Sequence, residues 1–260
     1  MTKSITVKYF YIILGILCVS NISLAFAEPS FSNPDITAFF PGEKLTYSIK
    51  WGYIPAGHSQ LEVLPNKIRD GQTVFHFQLK AQTNAFVSKI YKVDDQIDSY
   101  VSIAENQTVD YIKRIREGRT KRDIMVRFDW NNQTAQYSNF DKLKSPISVP
   151  QHTFDPLSAF YYVRLFLPDK TKSIFASVTD GKKCVTGKVN YLKQETISVP
   201  LGTFDTWLVE PDIKDVGGVF EKSKNAKIQI WITNDERRIP VRLRSKVIVG
   251  SFYADLTKIE

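Results

Sequence analysis

The chain has 260 residues, a formal net charge of +8 and two cysteines, and these values exclude several classes of protein. Cys18 lies in an N-terminal apolar segment. If the chain is cleaved after that segment, only Cys184 remains and no internal disulfide can form. This excludes the small cysteine-stapled scaffolds that are common among secreted proteins. The remaining length suffices for a large domain that is stabilised by a packed core.

The N-terminus has the layout of a cleaved secretory signal. Two lysines within the first eight residues precede an apolar run over residues 9–19, and Ala25 and Ala27 supply small residues two positions apart. The run is shorter than the roughly 20 apolar residues of a membrane-spanning helix. Residues 1–27 are therefore predicted to be a signal peptide that sends a secreted protein to the periplasm, with an uncleaved anchor as the alternative. No later apolar run reaches spanning length, so no transmembrane span is predicted in the mature chain.

Alternation of apolar and polar side chains dominates the rest of the sequence. Residues 28–40 lack any periodicity and are predicted to be an extended lead-in. Most segments within residues 41–260 alternate, and since successive side chains of a strand point to opposite faces, each such segment predicts a half-buried strand. Turn signals separate these segments at Asp70-Gly71, Glu117-Gly118, Asp180-Gly181, Gly202 and residues 234–236.

One segment departs from this alternation and predicts a helix. Asp155 suits the N-cap position and Pro156 suits the first helical position. Leu157, Phe160 and Tyr161 then recur at helical spacing. We expect this short helix to seal one end of the sheet.

The number of strands limits the possible folds. We count about twelve to fourteen strands in residues 41–260, which we predict to be a single β-barrel-like domain. Open twisted sheets rarely exceed about ten strands without curling, splitting or closing, and closure removes the exposed edges. The sequence therefore predicts an all-β, antiparallel meander that forms a closed or nearly closed β-barrel with one short helix. A flattened sandwich is the alternative.

Three stretches of the chain resemble a family of exported bacterial proteins. They are residues 41–52 with the following Ala56-Gly57, residues 155–159 leading to Arg164, and residues 231–241 followed by Gly250-Ser251. In this order they are similar to the domain of unknown function 3108, over nearly the whole predicted mature chain. The resemblance implies a periplasmic β-barrel-like fold, similar to that of capsule-associated exported lipoproteins, and it implies no established activity or catalytic residues.

Basic residues are concentrated in two predicted hairpins. Residues 113–127 contain seven basic and two acidic side chains. Residues 235–246 contain five basic and two acidic side chains. Such clusters attract phosphate-bearing lipids, anionic polysaccharides or acidic proteins, or they only solubilise the sheet and protect its edges. Nucleic acid suits the same charge, but export argues against it. The candidate basic surface comprises Lys113, Arg114, Arg116, Arg122, Arg127, Arg242 and Arg244.

Aromatic side chains recur on the predicted inner face of the sheet. Barrels of moderate strand number either hold an apolar ligand, as lipocalin-like folds do, or are filled by their own side chains. The candidate ligand-binding residues are Tyr47, Trp51, Phe75, Phe77, Phe128 and Trp130.

No catalytic or metal-binding motif stands out. His58, His76 and His152 are scattered without the spacing of a metal site, so no metal or other cofactor is predicted. His152 and Asp155 are three residues apart, which permits an acid–base pair, although helix capping explains Asp155 without any chemistry.

The sequence therefore favours a non-enzymatic module that binds an amphiphilic or anionic component of the cell envelope, a lipid or a polysaccharide. A protein-interaction scaffold for envelope assembly is one alternative. A hydrolase that uses His152 and Asp155 is the other. Neither the identity of the ligand nor the oligomeric state follows from the sequence.

Overall fold

Fifteen antiparallel strands and two short helices make up the described part of the chain. The computed structural model describes residues 38–166, 172–212, 227–247 and 250–260. The strands are β1 (Lys44–Trp51), β2 (Ile54–Arg69), β3 (Gln72–Thr83), β4 (Asp94–Ser102), β5 (Gln107–Glu117), β6 (Thr120–Asp129), β7 (Thr134–Asn139), β8 (Lys142–Leu143), β9 (Ile147–Ser148), β10 (Ser173–Thr179), β11 (Cys184–Val199), β12 (Gly202–Pro211), β13 (Lys227–Thr233), β14 (Pro240–Val247) and β15 (Gly250–Ile259). The helices are α1 (Ala85–Ser88) and α2 (Pro156–Val163).

The strands form one continuous meander in which the first strand pairs with the last. The order across the sheet is β10-β11-β12-β13-β14-β15-β1-β2-β3-β4-β5-β6-β7-β8, and β9 pairs with β7. Neighbouring strands are antiparallel throughout, as at the β1–β15 junction. The predicted all-β antiparallel meander is thus confirmed, whereas a second helix and a few more strands were not predicted.

The barrel is not strictly closed, because its edge strands β10 and β8 do not pair with each other. The segment before α2 lies in the gap. The N–H of Thr108 in β5 donates to the carbonyl of Thr153 at 3.1 Å, and the N–H of Phe154 donates to the carbonyl of Ser177 in β10 at 2.8 Å. This segment therefore joins the two sides of the sheet.

The turn between β10 and β11 packs against the opposite side of the sheet. Gly181 in this turn has φ +84°, and a Cβ at this position would lie 2.7 Å from Val126 Cγ2 and 3.2 Å from Tyr137 Cβ. Both the positive φ and the close approach require glycine. The turn thus covers the inner side chains of β6 and β7, so the two ends of the meander overlap.

The helix α2 seals one end of the barrel. Asp155 is its N-cap and Pro156 its first residue, as predicted. The ring of Tyr161 stacks on Phe77 of β3 with centroids 4.0 Å apart, and Phe39 packs edge-on against both rings. Aromatic side chains from the sheet, the helix and the N-terminal segment therefore fill this end.

The helix α1 is a single turn between β3 and β4. The side-chain oxygen of Asn84 accepts a hydrogen bond from the N–H of Val87 at 2.9 Å, and its Nδ2 donates to the carbonyl of Pro55 at 2.7 Å. One turn is too short to produce a periodic pattern, which explains why the alternation did not predict it.

A bulge in β5 changes which of its side chains face the core. Val101 of β4 pairs with Thr108 and the preceding Tyr100 pairs with Asp110, so Val109 has no partner in the ladder. Val109 belongs to a small cluster apart from the main core. Strict alternation with Tyr111 would place Val109 in the main core, but the bulge shifts the phase and turns its side chain to the other face.

Two predicted segments lie largely or wholly outside the described residues. They are the signal peptide over residues 1–27 and the lead-in over residues 28–40, of which only the last three positions are described.

Candidate functional site

The inner face of the sheet is buried at the α2 end and becomes accessible to solvent toward the other end. Along β1, the inward side chains of Leu45 and Tyr47 are buried, Ile49 is partly exposed and Trp51 is 46% exposed. We call the end where β1 finishes, opposite α2, the open end. The barrel is therefore packed in one half and accessible in the other.

Other strands repeat this gradient. In β3, Phe77 is fully buried but Leu79 is only partly buried, and in β14 the same holds for Val241 and Leu243. Leu79 pairs with Ile97 across β3 and β4, and Ala254 pairs with both Ile49 and Leu243. We call the following five residues the open-half lining: Ile49, Leu79, Ile97, Leu243 and Ala254.

A lysine lies on the inner face at the edge of the open-half lining. Lys113 pairs with Ile97 on one side and with the core residue Ile124 on the other. Its Nζ is 5.3 Å from the centroid of the Tyr111 ring. Burial lowers the pKa of its ammonium, although the nearby carboxylate of Asp180 opposes this shift. Among the described residues no carboxylate lies within ion-pair distance of Lys113.

The structure divides the predicted basic surface between two faces. Lys113 and Arg122 lie on the inner face, since Arg122 pairs with Ile115, two residues beyond Lys113. Arg114 and Arg116 alternate with them and face the other side. The candidate basic surface is therefore not one continuous face, because consecutive basic residues of a strand point to opposite sides of the sheet.

Most of the outward arginines already contact a neighbouring strand. Arg244 lies over the ring of Tyr253 at 5.5 Å. Three other outward arginines form ion pairs, which reduce their attraction for an external anion. The pairs are Arg116–Asp123 at 2.6 Å, Arg127–Asp110 at 3.3 Å and Arg242–Asp255 at 2.5 Å.

Five of the six candidate ligand-binding aromatics belong to the packed half. The hydroxyl of Tyr47 donates to the carbonyl of Pro240 at 2.7 Å, and the indole N–H of Trp130 donates to the carbonyl of Thr108 at 2.9 Å. Trp130 is partly buried against the core, and the buried members are Tyr47, Phe75, Phe77 and Phe128. These side chains fill the barrel, which was the alternative to ligand binding that the sequence left open.

Trp51 differs from these five. It occupies the last position of β1, where its ring stacks on Phe252 of β15 with centroids 6.2 Å apart. Trp51 was predicted with them as an inward ligand-binding aromatic, and it lies at the open end, where β1 finishes, instead of in the packed half.

Large apolar side chains border the open end on the side formed by β1–β4. They lie in the β1–β2 turn and in the connection that contains α1, and sequence analysis did not single them out. The available signal was an apolar pair directly after Gly52 and apolar residues in a connection without strand periodicity. We call the following six residues the apolar rim: Trp51, Tyr53, Ile54, Phe86, Ile90 and Tyr91, all of them exposed.

Asp155 acts as a structural cap. Its Oδ1 accepts the N–H groups of Leu157 and Ser158 at 2.8 and 3.1 Å. Its Oδ2 accepts the hydroxyls of Ser99, Thr108 and Ser158 at 2.5, 2.9 and 2.8 Å. Burial raises the pKa of this carboxyl, and the hydroxyl hydrogen bonds oppose the rise. The side chain thus anchors α2 to β4 and β5.

His152 does not form a pair with Asp155. Its Nδ1 lies 2.8 Å from the carbonyl oxygen of Glu105, and the imidazole is exposed on an open cleft of about 530 Å³ beside α2. The carboxylate of Asp155 is buried and bonded to the groups described above. The geometry therefore gives no acid–base dyad, and no cluster of metal-ligand type occurs among the described residues.

A buried ion pair fixes the sealed end. Arg164, just after α2, donates from Nη1 to Glu43 Oε1 at 2.7 Å and from Nη2 to Glu43 Oε2 at 3.1 Å. Arg237 donates to the same carboxylate at 2.9 Å. These contacts join the start of the sheet, the helix and the β13–β14 turn, and they have a structural role.

The sequence matches one family and no curated protein. Residues 46–257 match the model of a family described as "Protein of unknown function (DUF3108)". Among curated proteins no match was found. No helix within the described ranges has the length and apolar character needed to span a membrane.

The fold is supported by one of three similar solved structures. A β-barrel-like protein of the domain of unknown function DUF1849 from Brucella abortus is similar, with a TM-score of 0.58, 10% identity, and coverage of 86% of this chain and 98% of that chain. A protein from Bacteroides fragilis, described as exported and as having a YmcC-like fold, has a TM-score of 0.35, 12% identity and coverage of 85% and 98%. A protein from Parabacteroides distasonis described as a lipoprotein has a TM-score of 0.35, 11% identity and coverage of 85% and 96%.

Proposed function

The chain belongs to DUF3108, a family of proteins of unknown function, and we propose that it is a non-catalytic module that binds an amphiphilic component of the cell envelope. The apolar part of the ligand occupies the open half of the barrel and its anionic head lies near Lys113. The observation that carries this proposal is the loss of burial along the inner face from the α2 end to the open end. The signal-like segment over residues 1–27 supports a periplasmic location.

The apolar part of the ligand gains its affinity from the open-half lining. Five aliphatic side chains on the inner face of the sheet remain partly exposed, and an acyl chain laid against them leaves water. Each buried methylene contributes about 0.8 kcal/mol. About ten methylenes thus contribute about 8 kcal/mol, the scale of micromolar binding before the costs of association are subtracted.

The head of the ligand is predicted to be anionic. Lys113 is a partly buried cation at the edge of the lining, and burial lowers the pKa of its ammonium. A carboxylate or phosphate beside it stabilises the charged form. Because the outward arginines are mostly paired, a lipid in the open half is favoured over a polysaccharide on the outer surface.

Titration of the purified protein with a fluorescent fatty acid below its micelle concentration tests the proposal. We expect saturable binding that Leu243→Asn weakens at least about tenfold, since the substitution replaces apolar contact by a polar group. Leu192→Asn is the matched control, because Leu192 is exposed on β11 outside the lining and its replacement leaves binding unchanged.

Two results would contradict the proposal. One is an absence of binding for several acyl chain lengths. The other is equal binding by wild type and Leu243→Asn when circular dichroism shows both to be folded. Replacing the carboxylate of the probe by an alcohol tests the role of Lys113, and it should weaken binding to the wild type but not to Lys113→Met.

A further inference from the structure

We propose that the apolar rim docks onto the surface of a phospholipid bilayer with anionic headgroups. The open end then faces the membrane. This inference deepens the proposed function, on which it rests in part, since it names the surface from which an amphiphile enters the open half.

The rim residues lie in or next to the connections between strands, where no other side chains cover them. Tyr53 is fully exposed between β1 and β2, Phe86 of α1 is 68% exposed and Ile90 is 80% exposed. Single exposed apolar residues are normal on a protein surface, but contiguous ones mark interaction sites.

Contacts between the turns make the rim contiguous. The N–H of Asn84 donates to the carbonyl of Ala56 at 2.9 Å, and its side chain donates to that of Pro55, so α1 lies against the start of β2. A Cβ on Gly118 would lie 2.7 Å from Cε2 of Tyr91. The β5–β6 turn therefore adjoins the connection that contains α1.

Basic side chains accompany these apolar ones. These cations outnumber the neighbouring carboxylates. Lys89 and Lys92 of the connection that contains α1 and Arg119 of the β5–β6 turn have no carboxylate partner among the described residues. Each cation near an anionic leaflet strengthens binding about fivefold. The cations are Lys89, Lys92, Arg119, Lys121 and Arg122, and the carboxylates are Asp94, Asp95 and Glu117.

This combination favours a lipid surface over a protein partner. Apolar side chains inserted at headgroup depth with cations beside them are the pattern of interfacial membrane binding. The rim consists of separate turn tips rather than a groove, and it borders the mouth of the apolar open half on one side. A bilayer accounts for all three features: the apolar tips insert into it, its anionic headgroups attract the cations, and it supplies the amphiphile that enters the open half.

Sedimentation with vesicles tests the proposal. We expect the purified protein to sediment with phosphatidylcholine vesicles that contain phosphatidylglycerol, and far less with phosphatidylcholine alone. Tyr53→Ser combined with Phe86→Ser should weaken binding at least about tenfold, because less apolar area enters the membrane. Lys89→Gln combined with Lys92→Gln should weaken binding to the anionic vesicles by about tenfold or more.

A matched control lies away from the rim. Ile68 and Leu201 are exposed outside it, so Ile68→Ser combined with Leu201→Ser should leave sedimentation unchanged. Equal sedimentation of the rim variant and this control overturns the proposal. So does binding that is equal for neutral and anionic vesicles, or capture by native membranes but not by protein-free vesicles.

Binding of the fluorescent fatty acid without vesicles separates this proposal from the proposed function. We expect the rim variant to keep fatty-acid binding while it loses vesicle binding, and Leu243→Asn to show the reverse. If the wild type binds anionic vesicles through the rim but takes up no fatty acid, docking stands and the proposed function fails.

Discussion

At the residue scale, Asp98 shows how hydrogen bonds control a buried charge. The carboxylate lies 2.8 Å from Nε2 of His76 and accepts hydrogen bonds from the side-chain amides of Gln78 and Gln96, each at 2.7 Å. Burial alone would raise the pKa of this carboxyl, but these bonds outweigh burial and lower the pKa to about 2. The ionised form is therefore favoured by folding.

This shift predicts how stability depends on pH. Because the pKa in the folded state is below the ordinary value, Asp98 stabilises the protein above about pH 4, and this contribution of about 2 kcal/mol disappears as the pH falls toward 2. Urea unfolding of wild type and Asp98→Asn measures it. We expect the difference in unfolding free energy to be largest above about pH 5 and to shrink on acidification; a difference independent of pH would contradict this account.

The buried ion pair between Glu43 and Arg164 predicts a large loss of stability. Glu43→Ala leaves the guanidinium buried without its carboxylate, which costs about 3–5 kcal/mol. The exposed pair Lys193–Glu195 is the matched control, and Lys193→Ala should cost less than about 1 kcal/mol. Both values follow from denaturant unfolding, and similar losses for the two variants would show that the buried pair contributes no more than a surface pair.

At the element scale, the two ends of the meander overlap because the β10–β11 turn packs on β6 and β7. Gly181 and Gly71 both have positive φ, at +84° and +77°, but only Gly181 has neighbours that an added Cβ would meet. Gly71→Ala should cost about 1 kcal/mol through backbone strain, and Gly181→Ala a further 1–3 kcal/mol or so through overpacking. Equal losses for the two variants in thermal unfolding would mean that the turn does not pack on β6 and β7.

Local patterns explain which elements the sequence could predict. Alternation and turn signals predicted the long strands, and capping chemistry predicted α2 from Asp155 and Pro156. The sequence could not show the bulge at Val109, because one inserted residue leaves the apolar pattern intact while it reverses the faces. It could not show α1, whose single turn depends on contacts of Asn84 with β2.

At the scale of the whole molecule, the position of α2 decides what the barrel can hold. Alternation predicted that Tyr47 and Phe77 point inward, and they do, but depth along the barrel depends on where the helix packs. Phe39 and Tyr161 fill one end, so the inward aromatics there are core, whereas the accessible lining is aliphatic. Lys113 lies on the inner face because its ladder partners in β4 and β6, Ile97 and Ile124, face the core.

The location of a bound acyl chain tests the central claim most directly. A fatty acid with a photoactivatable diazirine on its chain can be crosslinked to the purified protein and the modified residues identified by mass spectrometry. The account predicts crosslinks in the open-half lining, on residues such as Leu79, Ile97 and Leu243, and their loss when unlabelled fatty acid is added in excess. Crosslinks confined to the outer surface, or unaffected by the competitor, would contradict it.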